Sequence, residues 1–139
     1  INEAFNHGSE GIVEENIEGR EVTCGVFRES EGVKALPITE IISENEYFDY
    51  DAKYNGKSKE VTPADLTDLM TNEIQSLSKE IYGIIGMKGV VRMDYIINKD
   101  GVPFLIEINS VPGMSKESIV PQMINKSKHT LNNIVTFYY

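Results

Sequence analysis

Apolar and polar positions alternate with a period of two through the first third of the chain. Runs at residues 11–17, 20–27 and 33–42 are rich in Ile and Val and are punctuated by turn formers, of which Glu18-Gly19 is the tightest. They predict an antiparallel meander of short strands. Residues 47–59 lose the pattern, with Asn55 and Gly56 among charged residues and tyrosines, and read as a surface loop. From Thr62 the period changes to three and four: Leu66, Leu69, Met70, Ile74, Leu77, Ile81 and Ile84 mark one face of a helix. Thr62 is its expected N-cap, Pro63 its first-turn proline and Asp65 its capping-box acid, with Gly83 or Gly86 ending it. Period two returns at 90–97 and 102–109, two strands joined through Asn98-Lys99-Asp100-Gly101, a composition suited to a hairpin turn. A short helix is expected after Pro112-Gly113, beginning near Ser115 or Ser118. Thr130 is placed to cap a last one containing Leu131, Ile134, Val135 and Tyr138. These elements predict an α+β fold: an antiparallel sheet packed against helices, covered on one face by the 62–85 helix and the short carboxyl-terminal helices.

Composition narrows the classes of function. The 139 residues suit one domain, with a core burying roughly two-thirds of the unfolded surface. Twenty-two acidic residues against 13 basic ones give a formal charge of −9, which argues against a nucleic-acid partner because such domains need a positive field. It does not exclude a nucleotide, which arrives with Mg²⁺. Cys24 is the single cysteine, so no intrachain disulfide forms and the cytoplasm is the default compartment. No apolar run approaches the roughly 20 residues of a membrane span, and residues 1–10 lack the basic start and apolar centre of a signal peptide. The absence of an initiating Met suggests that Ile1 is not a natural start.

Candidate chemistry concentrates on the hairpin. Alternation turns Val91, Met93, Tyr95 and Ile97 towards the core, with Phe104, Ile106 and Ile108. If the four-residue turn pairs Ile97 with Val102, then Arg92 lies opposite Glu107 and Asp94 opposite Leu105, and Arg92, Asp94, Glu107 and Asn109 share the other face. A one-residue slip breaks this match, so the apolar pattern is expected to set the register. Two carboxylates about 4 Å apart repel by about 4 kcal/mol at an effective dielectric of about 20, and a cation is the simplest partner. Asp94, Glu107 and the Asn109 carbonyl are the hard oxygen donors Mg²⁺ prefers, with positions left for water and phosphate. The alternative is an Arg92–Glu107 cross-strand ion pair on a solvated face, with Asp94 merely a neighbour. Residues 109–115 then leave the strand through a Pro-Gly turn towards a helix start, whose N–H groups suit an anion or a developing oxyanion; the alternative is an ordinary junction capped by Ser115 or Ser118.

Arg92-Met93-Asp94, then Glu107-Ile108-Asn109-Ser110-Val111-Pro112-Gly113-Met114-Ser115, then 118–121, closely resemble the end of the D-alanine–D-alanine ligases, members of the ATP-grasp superfamily. The resemblance extends upstream to residues 13–22, similar to the family's adenine-contacting hinge, and to 48–54, similar to its active-site loop. It implies ATP-dependent activation of one D-alanine as an acyl phosphate and attack by the amine of a second, yielding a peptidoglycan precursor. By position, Asp94, Glu107 and Asn109 would bind two Mg²⁺ ions, with Mn²⁺ as a substitute. Glu14 would contact the adenine amino group, Glu15 and Ile17 would lie along the hinge, and Glu21 would face the ribose. Lys53 would reach the terminal phosphate, Arg92 and the Gly113 N–H would hold the oxyanion, and Ser118 would grip the second D-alanine's carboxylate. Lys53-Tyr54 favours an amine over a hydroxyl acceptor, as in ligases that do not make D-alanine–D-lactate.

The resemblance also implies that residues 1–139 are a single domain, the carboxyl-terminal ATP-grasp portion of a longer ligase. The amino-terminal domain and first ATP-grasp subdomain would lie upstream, and the parent would be a homodimer. These residues alone are therefore expected not to catalyse ligation. Two competing readings remain. One is another ATP-grasp carboxylate–amine ligase, or a D-alanine–D-lactate or D-serine ligase; the other is a non-catalytic module of the same fold. Residues 112–115 with Ser118 count against the first, and the combination of Lys53, Asp94, Glu107 and Asn109 against the second.

Overall fold

The computed structural model describes residues 13–43, 58–130 and 134. Its centre is an antiparallel sheet of six strands: β1 (Gly19–Glu29), β2 (Gly32–Ala35), β3 (Thr39–Ser43), β4 (Ser58–Val61), β5 (Val91–Asn98) and β6 (Pro103–Asn109). The order is β4-β3-β1-β5-β6, with β2 also paired to β1. Among the described residues two helices lie against it, α1 (Asp68–Ile84) and α2 (Ile119–Asn125). Antiparallel pairing with segregated helices is the expected α+β class. No helix among the described residues is long and apolar enough to cross a membrane.

The meander differs from expectation at both ends. Residues 13–18 form no strand, because the whole inner edge of β1 is taken by β5, from Gly19↔Asn98 to Val26↔Val91. Gly19 is therefore a close-approach glycine and not a turn glycine: a Cβ there would run into the Ile97 carbonyl oxygen. The run 33–42 is split into β2 and β3 around Pro37, which has no N–H to give a ladder. Leu36 and Ile38 consequently enter different cores.

α1 starts later than its first capping signal. Thr67 is the N-cap, its hydroxyl accepting the Met70 N–H at 3.2 Å. Thr62 is committed elsewhere: its hydroxyl pairs with that of Thr39 at 2.6 Å, and the Thr62–Pro63 peptide is cis. The helix ends where Gly86, at φ +65°, passes its N–H to the Gly83 carbonyl and Met87 passes its own to Tyr82, a Schellman closure. The buried stripe is rotated from the expected one. Ile74, Ser78 and Tyr82 are its centre, whereas Leu69 and Ile84 face solvent.

Two cores lie on opposite faces of the sheet. Val22, Cys24, Val26, Val91, Met93, Tyr95 and Ile97 pack beneath α1 against Ile74 and Tyr82. Phe27 and Leu36 face the other way and hold Val120, Met123 and Ile124 of α2, together with Ile134. A Cβ on Gly25 would meet Leu36 Cδ1 at 2.8 Å and Met123 Sδ at 3.1 Å, so glycine lets α2 approach β1. The expectation that all helices cover one face is thus corrected: α1 and α2 lie on opposite sides. Ile134 is helical and donates its N–H to the Thr130 carbonyl; the rest of that expected helix lies outside the described residues.

The first core makes the fold sensitive to alkali. Burial pushes the Cys24 thiol up to about 12 from 9.0, and the Tyr95 phenol up to about 12 from 10.0. Both folded-state values exceed the unfolded ones, so the unfolded chain binds fewer protons above about pH 9 and stability falls as pH rises. We expect urea midpoints to be insensitive to these groups below pH 9 and to decline towards pH 12, with Tyr95→Phe removing part of the slope. A slope unchanged by that substitution would refute the assignment to Tyr95.

Candidate functional site

The β5–β6 hairpin carries the site, and its register was not the expected one. Asn98 closes the turn: its N–H reaches the Val102 carbonyl, while its Oδ1 accepts the Asp100 and Val102 N–H groups at 3.0 and 2.8 Å. Gly101 takes φ +78°, the left-handed residue of a three-residue loop. Ile97 therefore pairs with Pro103, not Val102. Beyond Tyr95↔Leu105 the register shifts, Ile106 is the extra residue, and Asp94 lies opposite Glu107, Met93 opposite Ile108 and Arg92 opposite Asn109. The expected pairs Arg92–Glu107 and Asp94–Leu105 do not form.

This bulge makes the carboxylate pair. Among the described residues β6 is an edge strand, which accommodates an extra residue without disturbing another partner. The four polar residues still share one face, now with the acids directly opposed. The expected apolar set changes as well: Ile108 packs on the first core, while Phe104 and Ile106 are exposed at 40% and 52% and Leu105 takes the register position of the Tyr95 face.

Asp94 is held from two sides. Arg92 donates from Nε to Oδ1 at 2.9 Å and from Nη2 to Oδ2 at 2.8 Å, and the Thr23 hydroxyl donates to Oδ1 at 2.6 Å. The ion pair is thus Arg92–Asp94 along one strand, and not the cross-strand Arg92–Glu107 alternative. Its hydrogen bonds to Asp94 hold the Arg92 guanidinium above its ordinary value, aided by the charges of Asp94, Glu107 and Glu60 and opposed by burial. Glu60, on β4, accepts from Gln122 of α2 at 2.7 Å, tying that helix to the acidic face.

Thr23 and Glu60 were missed in the sequence. Thr23 offers one signal, a polar residue within the apolar run Val22–Val26, but only the strand order puts it beside Asp94. Thr39 and Thr23 pair with each other, and Thr23 pairs with Asp94, so Thr39, Thr23, Asp94 and Glu107 form a polar row across β3, β1, β5 and β6. Glu60 had been given no role, at the margin of the stretch read as loop.

Residues 15–18 and 98–100, with Phe104, line an open cavity of about 270 Å³. Lys99 and Glu18 form an ion pair at 2.8 Å that joins the two segments. Glu15 and Ile17 belong to this cavity; Glu14 is exposed and does not line it. Glu21 pairs with Ile96 and therefore lies between the cavity and Asp94 on the same face. Along β5, Asp94 and Asn98 are separated by roughly 13 Å at the usual rise per residue.

Downstream of the hairpin, Asn109 Oδ1 accepts the Val111 N–H at 3.1 Å and starts the turn. Ser118 is the N-cap residue of α2, yet its hydroxyl makes no capping bond and instead pairs with Ser115 at 2.9 Å. Gly113 stands against it, since a Cβ at 113 would meet Ser118 Oγ at 2.8 Å. The structure thus brings Gly113 and Ser118 together. Lys53 and Tyr54 lie outside the described residues.

Comparison with known proteins covers nearly the whole chain. Residues 1–137 match the family described as "D-ala D-ala ligase C-terminus". A D-alanine–D-alanine ligase of Porphyromonas gingivalis is 43% identical over 135 residues, 97% of this chain and 41% of the relative; one of Parabacteroides distasonis is 43% identical over 136, 98% and 42%. The chain therefore spans about two-fifths of these relatives. Among solved structures, a D-Ala:D-Ser ligase of Enterococcus faecalis superposes with a TM-score of 0.80 at 29% identity, covering 98% of this chain and 41% of that one. The Bacillus anthracis D-alanine–D-alanine ligase complexed with ATP gives 0.76 at 30%, covering 97% and 44%.

Proposed function

Because this chain belongs to the family of the D-alanine–D-alanine ligase carboxyl terminus, we propose that it is the ATP-grasp portion of a longer cytoplasmic ligase joining two D-alanines for peptidoglycan synthesis. The observation that carries this reading is the opposition of Asp94 and Glu107 on the same sheet face as the 15–18 cavity. Adenine would enter the cavity beside Glu15 and Ile17, with Glu14 meeting its amino group from outside. Glu21 would face the ribose, and the phosphates would run along β5 towards the acids.

The donor set fits Mg²⁺. Among the described residues no three or more His, Cys, Asp or Glu are grouped for a metal, so Asp94 and Glu107 would be completed by the Asn109 amide oxygen. Two opposed carboxylates and an amide leave coordination positions for water and phosphate oxygens, the arrangement Mg²⁺ favours. Two bound ions would supply charge neutralisation on the transferring phosphoryl group. The chain's own residues then divide the remaining work. Lys53 would bind the terminal phosphate as the first D-alanine carboxylate becomes an acyl phosphate. Ser118 would orient the second D-alanine through its carboxylate so that its amine meets the activated carbonyl. Arg92 and the Gly113 N–H would stabilise the resulting oxyanion before phosphate leaves, and Tyr54 would line the acceptor side.

An acceptor panel on the full-length protein carrying this chain tests the assignment. D-alanine should give ADP release and dipeptide, D-lactate none; a preference for D-serine, as in the Enterococcus faecalis neighbour's name, or for D-lactate overturns the acceptor assignment. Residues 1–139 alone should show no ligation. Gly113→Ala probes the acceptor end: by displacing the Ser118 hydroxyl it should raise KM for the second D-alanine by about tenfold, roughly one lost hydrogen bond to a charged group. An unchanged KM would remove Ser118 from substrate binding.

A further inference from the structure

We propose that Thr23 is a positioning residue that fixes the Asp94 carboxylate so that one of its oxygens, Oδ2, is presented to the metal. The inference rests on the reading of Asp94 as a metal ligand.

Thr23 lies at the middle of β1, the central strand, and its partner Asp94 is set by a ladder running from Gly19↔Asn98 to Val26↔Val91. That register leaves neither residue freedom to slide. Thr23 is fully buried, flanked by Val22 and Cys24, where valine would fill the same volume without a hydroxyl to satisfy. An unpaired hydroxyl there would cost stability. It is instead the donor of a 2.6 Å bond to Asp94 Oδ1, and a β-branched side chain is stiff enough to aim that bond in one direction.

The lone pairs then decide which oxygen remains available. Each carboxylate oxygen has two acceptor sites. Those on Oδ1 are filled by Thr23 Oγ1 and by Arg92 Nε at 2.9 Å. Oδ2 accepts from Arg92 alone among the described residues, from Nη2 at 2.8 Å and from Nε at a longer 3.3 Å, so it is the less committed of the two oxygens, and Glu107 stands directly across from this carboxylate. Arg92 alone cannot enforce this, because a guanidinium fork swings with its own side chain; Thr23 anchors the carboxylate to the neighbouring strand. Partners that orient metal-binding carboxylates typically contribute about 10–100-fold in metal affinity.

The test is Mn²⁺ binding, followed by electron paramagnetic resonance, to the full-length ligase and to Thr23→Val, Thr23→Ala, Thr23→Ser and Asp94→Asn. Valine and alanine both remove the hydroxyl but change apolar contact in opposite directions, so a shared loss of about tenfold in Mn²⁺ affinity, with serine restored to within about threefold of wild type, supports positioning. Should valine fail to fold, the alanine and serine pair decides. Wild-type affinity in the hydroxyl-free variants, or serine as weak as they are, overturns the role of Thr23 while an Asp94→Asn loss leaves the metal reading intact. Mn²⁺ affinity unaffected by Asp94→Asn overturns both.

Discussion

Glu107→Gln is expected to abolish metal-dependent nucleotide binding while leaving the fold at least as stable as before. Glu107 stands directly across from Asp94, and like charges opposite each other on a sheet are destabilising. Neutralising one relieves that repulsion, and Arg92 keeps its fork on Asp94. The same exchange removes a charged donor from the pair that would hold Mg²⁺, for which a loss of at least about a hundredfold is expected, beyond the effect of a residue that merely supports a ligand. Calorimetric titration of Mg²⁺-ATP into the full-length protein, alongside thermal melts of both forms, reads the two effects separately. Binding retained within a few-fold would contradict the metal assignment. A melting temperature several degrees lower would instead assign Glu107 a structural role as a partner of Arg92.

The second large effect concerns the other face of the sheet. Phe27 is fully buried and joins Leu36 to Val120, Met123 and Ile124 of α2, with His129 edge-on at 5.1 Å between ring centroids. Phe27→Ala should cost about 3–5 kcal/mol, the usual range for removing a buried aromatic side chain. Urea denaturation would show this as a lowered midpoint at unchanged slope. Because α2 follows directly on Ser118 and bonds to Glu60 through Gln122, loosening its seat should also weaken binding at the acceptor site proposed around Ser118 before it touches nucleotide binding. A loss confined to nucleotide affinity would contradict that division of the site.

Which polar residues of the hairpin gather on one face was readable in the sequence. Alternation with an assumed Ile97–Val102 pairing puts Arg92, Asp94, Glu107 and Asn109 on one face, and they do share one although Ile97 pairs with Pro103, because successive side chains of a strand must point to opposite sides. The same reasoning failed at Phe104 and Ile106. Alternation assumes an unbroken ladder, and the bulge at Ile106 inserts one residue, so the phase that holds at Ile108 does not extend back to Phe104. The Thr62 capping signal was sound as local chemistry, but Thr67 offered another, and the Thr39 hydroxyl on β3 claimed the first. Glu18-Gly19 read as a turn because glycine serves turns and close approaches alike; only the presence of β5 distinguishes them.

The sequence by itself determined what depends on covalent geometry and side-chain type: where helix and strand periods run, which residues of a strand share a face, which donors suit a divalent cation, and the family resemblance of nearly the whole chain. Tertiary structure alone decided that β5 rather than 13–17 pairs with β1, that a bulge sets Asp94 against Glu107, that Thr23 grips Asp94, and that α1 and α2 occupy opposite faces. The physical reason is range. Alternation and capping arise from atoms a few bonds apart, whereas pairing partner, register and packing face are chosen by burying apolar surface and satisfying polar groups from segments distant in the chain, as Thr23 and Asp94 are.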